Sequence, residues 1–206
     1  MKCILSKITQ VALLLTTFNS LTAQTASISV TVQFVNDIPL ENVEVVLLNG
    51  TETVKTTTDQ QGNYAFDNIP VGASVSMSAN YNTTGEVLNG NSTFDLVLTT
   101  QHILGTQRFE DGYQYFAMDI NKSKSVTAFD LVLGRNLILG IITEYPNGNN
   151  WRFINTDVLE DFQPTEAFKI PTDFSDVYQL TVSDQGNEVN FTGIKVGDAS
   201  GNAVAN

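Results

Sequence analysis

The chain has 206 residues, 42 % of them hydrophobic and 16 % charged, so it can bury a core and is not a disordered acidic tail. Ten Lys plus Arg against 22 Asp plus Glu give a formal charge of −12, which makes nucleic acid and anionic lipid poor partners. A single His (His102) and a single Cys (Cys3) exclude Cys/His zinc centres, iron–sulfur clusters and a disulfide scaffold.

Residues 1–23 read as a secretory signal peptide. Lys2 and Lys7 precede an apolar run, Ile8 to Phe18, and small residues follow up to Ala23, after which cleavage is expected. The run is shorter than the roughly 20 residues a membrane span requires, so no span is expected. Cys3 leaves with the signal. The remaining chain then carries −14, because the signal removes two Lys and no acid from −12. An exported chain without disulfides needs another source of rigidity. Calcium, abundant outside cells, is one candidate.

Residues 24–81 read as a small β-sandwich. Ile28, Val30, Val32 and Phe34 alternate with polar residues, which is the period of a half-buried strand. Val43, Val45 and Leu47 repeat the pattern, and Thr56–Thr58 form a polar strand. Asp59-Gln60-Gln61-Gly62 is a turn, Tyr64 and Phe66 are the next inward pair, and Val75 to Ala79 is a last strand. The stretch Thr57-Thr58-Asp59-Gln60-Gln61-Gly62-Asn63-Tyr64-Ala65-Phe66, with Ile69-Pro70-Val71-Gly72, resembles the signature of carboxypeptidase-regulatory-like and collagen-adhesin B-type domains. The resemblance implies a prealbumin-like sandwich, grouped with carbohydrate-binding-like folds and serving mostly as a spacer. The first strand has no Lys for the isopeptide bond that collagen-adhesin members often carry.

Residues 82–142 contain an internal repeat. Phe94-Asp95-Leu96-Val97-Leu98 with Ile103-Leu104-Gly105 recurs 35 residues later as Phe129-Asp130-Leu131-Val132-Leu133 with Ile138-Leu139-Gly140. The spacing predicts two helices, each opened by a capping box (Ser92 with Asp95, Thr127 with Asp130) and closed by a glycine. Before the second helix, Asp119, Asn121, Ser123, Thr127 and Asp130 place oxygens at positions 1, 3, 5, 9 and 12 of a calcium loop. Ser125 stands at position 7, where the backbone carbonyl is the expected ligand, and Val126 at position 8 should face the core. A hard cation needs several oxygens converging from one short segment, and alternate positions supply them. The usual Gly at position 6 is Lys124, and the usual Glu at position 12 is Asp130. With two carboxylates, the affinity for Ca2+ should be on the order of 10⁻⁴ M.

Aspartate at position 12, a helix behind the loop and none in front together resemble a type I dockerin. That family consists of two loop–helix halves that bind calcium and dock to a cohesin domain on polysaccharide-degrading assemblies. Carried onto this chain, the partner-binding positions are Thr93 with Phe94 and Ala128 with Phe129. Dockerins often carry Ser/Thr pairs there; this chain offers aromatic residues. The corresponding first loop has Thr84, Glu86 and Leu88 at positions 1, 3 and 5, leaving Glu86 and Asp95 as the carboxylates of a weak metal site at most.

Residues 143–206 read as an extension packing on the helical repeat. Trp151-Arg152-Phe153 and a terminal Lys195-Val196-Gly197-Asp198 resemble the ends of modular secreted proteins of gliding, Bacteroidetes-type bacteria. Asp198-Ala199-Ser200-Gly201-Asn202 reads either as half a metal loop or as a plain turn. Trp151, amid Phe153 and Ile154, reads as core rather than a sugar platform. His102 has Leu137 as its repeat counterpart, a packing position, and no spacing selects a carboxylate pair for glycoside hydrolysis.

The expectation is a non-catalytic bacterial protein, extracellular or at the cell surface, which binds calcium and docks a cohesin-like or other protein. One alternative is a structural or adhesive spacer, signalled by burial of Phe94 and Phe129. Another is a glycan-binding module with Tyr64 or Tyr81 exposed, and a third is a small hydrolase, signalled by two carboxylates facing each other in a cleft.

Overall fold

The computed structural model describes residues 23–81, 87–146, 148, 150–163 and 169–204. The expected signal segment therefore lies outside the described residues, apart from Ala23. So do Thr84 and Glu86 of the first loop.

The first half forms strands where alternation places them, but the short second strand was not expected and the fourth covers Glu52–Thr57 rather than Thr56–Thr58. These are β1 (Thr25–Phe34), β2 (Ile38–Pro39), β3 (Glu44–Asn49), β4 (Glu52–Thr57), β5 (Asn63–Pro70) and β6 (Ser74–Asn80). The turn before β5 closes as its residues dictate. The Asp59 carboxylate accepts the Gln61 and Asn63 amides, and Gly62 takes φ +75°. A side chain at Gly62 would also meet the Val32 carbonyl.

The remaining elements are α1 (Thr93–Leu104), α2 (Gly112–Met118), α3 (Ala128–Ile138), β7 (Trp151–Asn155), α4 (Thr156–Glu160), β8 (Tyr178–Thr181) and β9 (Asn187–Lys195). Both expected capping boxes close at α1 and α3. Helix α2 was not expected, and it ends one residue before the loop. The loop thus lies between two helices, not behind an unstructured segment.

The strands form two sheets. One runs β2-β1-β9-β7 with β5 also on β1, and the other runs β4-β3-β6-β8. Their apolar faces meet in one core, with Ile28, Val30, Val32 and Phe34 opposite Val45, Leu47, Val75 and Met77. The sandwich is therefore not contained in residues 24–81. Strand β8 pairs with β6, and β9 lies parallel to β1, with Ile28 opposite Asn187 through Phe34 opposite Gly193. The extension expected to cover the helical repeat thus also builds the sandwich.

Alternation along β7 and β9 explains this double duty. Trp151, Phe153, Val189 and Phe191 point into the sandwich core. Ile154, Ile194 and Val196 point the other way, into a second cluster with Phe116, Met118, Ile120, Val126, Leu133 and Leu137. Every residue of β7 is consequently buried. At Gly193 a side chain would strike Leu40 and Phe153, so the close approach there needs glycine. Trp151 packs edge-on against Phe34 and Tyr81, a core position.

Candidate cation loop and helix face

The loop of residues 119–130 is closed by its own carboxylates. Asp119, fully buried, accepts the Ser123 amide on Oδ1 at 2.8 Å and the Lys124 amide on Oδ2 at 2.9 Å. Asp130, also buried, accepts the Thr127 amide and hydroxyl on Oδ2, both at 2.8 Å, and the Asn121 amide on Oδ1 at 3.3 Å. Asn121 Oδ1 accepts the Ser123 amide at 2.9 Å, and Ser123 Oγ donates to the Ser125 carbonyl at 3.1 Å. The six expected ligand residues are therefore linked to one another by hydrogen bonds within one short segment. Val126 is buried behind them, in the cluster that holds Leu133 and Leu137.

The backbone takes this path without the customary glycine. Lys124 adopts φ +65° and Lys122 φ +56°, left-handed values that disfavour side chains. Both side chains turn away from the carboxylates. Lys122 Nζ lies 3.2 Å from Asp176 Oδ2, and Lys124 Nζ donates to the carbonyls of Thr172 and Phe174. Segment 169–176 thus straps the loop, helped by a bridge between Ser125 and Lys169 and by the Ile170 amide on the Lys124 carbonyl.

Two residues at this site escaped the sequence reading. Arg152, 4 % exposed, lies with Nη1 3.5 Å from Asp119 Oδ2 and Nη2 3.0 Å from Asp176 Oδ1. Its guanidinium also sits over the Phe116 ring and donates to the Phe116 carbonyl. Burial pushes the Asp119 carboxyl up from its ordinary value, while Arg152 works to lower it. Burial also works to raise Asp176, but Arg152 and Lys122 hold it below the ordinary carboxylate range.

The donor set suits a hard cation in kind, since every candidate atom is oxygen and none is sulfur or nitrogen. Its two carboxylates fall short of the three or more acidic, His or Cys groups of a densely charged centre. No such group occurs among the described residues.

The first loop is built differently from the expectation. Leu88, placed at its position 5, is 53 % exposed and turned outward. The groups that meet Asp95 come instead from the far end of the chain. Asp198 Oδ1 accepts the Asn202 amide at 3.2 Å and the Ser200 hydroxyl at 3.1 Å, and Oδ2 accepts the Ala203 amide at 2.8 Å. The Ser200 amide reaches Asp95 Oδ1 at 2.9 Å, and Asp95 Oδ2 accepts Ser92.

All of these contacts but the Ser200 hydroxyl on Asp198 have a counterpart in residues 119–130. Asp198, Ser200, Asn202 and Asp95 stand as Asp119, Asn121, Ser123 and Asp130 stand. Gly201, with φ +67°, matches Lys122. The Asp198 carboxyl is pushed up by burial and by Asp95. Among the described residues no ion pair reaches either acid.

Helices α1 and α3 pack together and leave one stripe each in solvent. Phe94 (57 % exposed) corresponds to Phe129 (56 %), Val97 to Val132, and Leu104 to Leu139. Thr93 and Ala128, the other expected contact positions, are exposed beside them. His102 is buried, stacked on Phe109 at 3.9 Å, with Nδ1 accepting the Phe109 amide. Tyr81 is buried and Tyr64 half-buried against Phe66, so neither offers an open platform. No helix among the described residues is long and apolar enough to cross a membrane. Compared with known proteins, the chain matches no protein-family model and no curated protein.

Proposed function

We propose that this chain is a non-catalytic, exported module that docks a protein partner through the α1/α3 face and is stiffened by calcium at residues 119–130. The carrying observation is the pair of solvent-facing apolar stripes at Phe94, Val97 and Leu104 and at Phe129, Val132 and Leu139. Exposed apolar groups that recur at equivalent positions of two repeats mark an interaction surface rather than scattered surface residues. Burial of Phe94 and Phe129 would have favoured a spacer.

The resemblance to dockerins supplies the partner class, a cohesin-like domain, and the sandwich resembling prealbumin-like domains supplies the spacer that presents the face. The setting is extracellular or cell-surface in a bacterium, where millimolar calcium suffices for a loop with two carboxylates. Bound calcium would be held by Asp119, Asn121, Ser123, the Ser125 carbonyl, Thr127 and Asp130, and would supply a fixed charge tying α2 to α3. The chain's own residues set the rest. The capping boxes hold the two helices in register, and the strap 169–176 keeps Lys122 and Lys124 off the carboxylates.

Two measurements test this. Thermal unfolding in EDTA and in millimolar calcium, with magnesium as control, should show a calcium-specific rise that Asp119→Ala removes. Calorimetric titration with a cohesin domain should show binding that Phe94→Asp with Phe129→Asp abolishes without lowering the melting temperature. Binding indifferent to both substitutions would end the docking assignment.

A further inference from the structure

We propose that Arg152 is the resident counter-ion of the loop, and that a metal cation must displace its guanidinium from Asp119 toward Asp176 in order to bind. This rests on the calcium assignment above and deepens it.

The charge arrangement carries the argument. Around the loop stand three carboxylates, Asp119, Asp130 and Asp176, and three cationic groups, Arg152, Lys122 and Lys124. The site is therefore balanced before any metal arrives. A buried carboxylate is tolerated only when paired or hydrogen-bonded, and Asp119 has both an ion pair and two amides. The ion pair is the adjustable part.

Arg152 is shared unequally. It is closer to Asp176, at 3.0 Å, than to Asp119, at 3.5 Å, and Asp176 is partly open to solvent whereas Asp119 is sealed. Its Nε has no hydrogen-bond partner, and its anchors besides Asp119 are the Phe116 carbonyl and Asp176, which a shift away from Asp119 can keep. A divalent ion at Asp119 repels the guanidinium, and Asp176 is already in place to hold it. Affinity is thereby set by a competitor inside the fold as well as by the ligands. The contrast with Asp95 and Asp198 is direct: the same hydrogen-bond pattern recurs there with no ion pair among the described residues.

Calcium titration by calorimetry of the whole chain and its variants tests this, with melting in EDTA as a second readout. A unit charge within a few ångströms shifts a carboxylate's proton affinity by 1–3 units, so losing it should shift a divalent ion's affinity by about tenfold or more. Arg152→Met should therefore tighten calcium binding at least about tenfold. Arg152→Lys, which keeps the charge, should stay near the parent. Asp176→Asn, which hands the guanidinium wholly to Asp119, should weaken binding.

In EDTA, the combination of Arg152→Met with Asp119→Asn should lower the melting temperature by less than the sum of the two single changes. Equal calcium affinity in parent and Arg152→Met, or additive melting shifts, would overturn the proposal while leaving the calcium assignment standing. Calcium binding that never depends on Asp119, in Arg152→Met included, would instead remove that assignment and the competition with it.

Discussion

Replacing Phe191 with Ala tests whether the end of the chain holds the sandwich together. Phe191 lies on β9, 1 % exposed, in the core that also contains Val30, Val32 and Trp151. Removing a buried phenyl ring forfeits its transfer energy and leaves a cavity, together about 3–5 kcal/mol. In a domain of this size each kcal/mol moves the melting temperature by about 2–4 °C, so a loss on the order of 6–20 °C is expected. Phe94→Ala is the control, because that ring is exposed on α1 and its removal should change stability by no more than about 0.5 kcal/mol. The assay is thermal and denaturant unfolding of both variants, followed by far-ultraviolet circular dichroism. If Phe191→Ala matched Phe94→Ala, β9 would not be a core strand, and the two-sheet arrangement with β9 beside β1 would be wrong.

Two further outcomes concern the cap of α3 and the buried carboxylate of Asp198. Thr127→Ala removes the hydroxyl that accepts the Phe129 amide and donates to Asp130, and should cost about 1 kcal/mol in denaturant unfolding. An unchanged midpoint would show that the cap adds nothing to α3. The second concerns pH in EDTA. The folded protein holds the Asp198 proton more tightly than the unfolded chain does, since burial raises that carboxyl. Lowering pH from neutrality through the raised value therefore favours folding, and the gain is complete below the ordinary value of 3.8. The stability difference between the parent and Asp198→Asn should move in the parent's favour as pH falls from 7 toward 4. A flat difference would mean that the charge is compensated in the folded protein.

What was legible in the sequence is what is local. Period-two alternation marked β1 and β3 because one face of each is buried, and the caps at Ser92 and Thr127 involve residues three apart. Helix α2 was missed because it is short, opens on Gly112, and is carried by the burial of Tyr115, Phe116 and Met118 rather than by a periodic pattern. The role of Arg152 was hidden for a related reason. Trp151-Arg152-Phe153 is visible as a motif, but only a strand covered on both faces turns its middle residue toward Asp119. The oxygens of Asp198, Ser200 and Asn202 were also visible. Their partner, Asp95, lies about a hundred positions away, and no local spacing points to it.

The ladder between β1 and β9 gives the molecule a mechanical character. The two strands run parallel over Ile28–Phe34 and Asn187–Gly193. A load that enters the chain before Thr25 and leaves it after Lys195 pulls on opposite ends of that ladder. The hydrogen bonds between the strands then share the force and must yield together, rather than opening one after another as in an unzipped hairpin. The core side chains on either side of the ladder must slide at the same moment. Under tension along this line the sandwich behaves as a shear clamp, with the α1/α3 face carried on elements outside the two loaded strands.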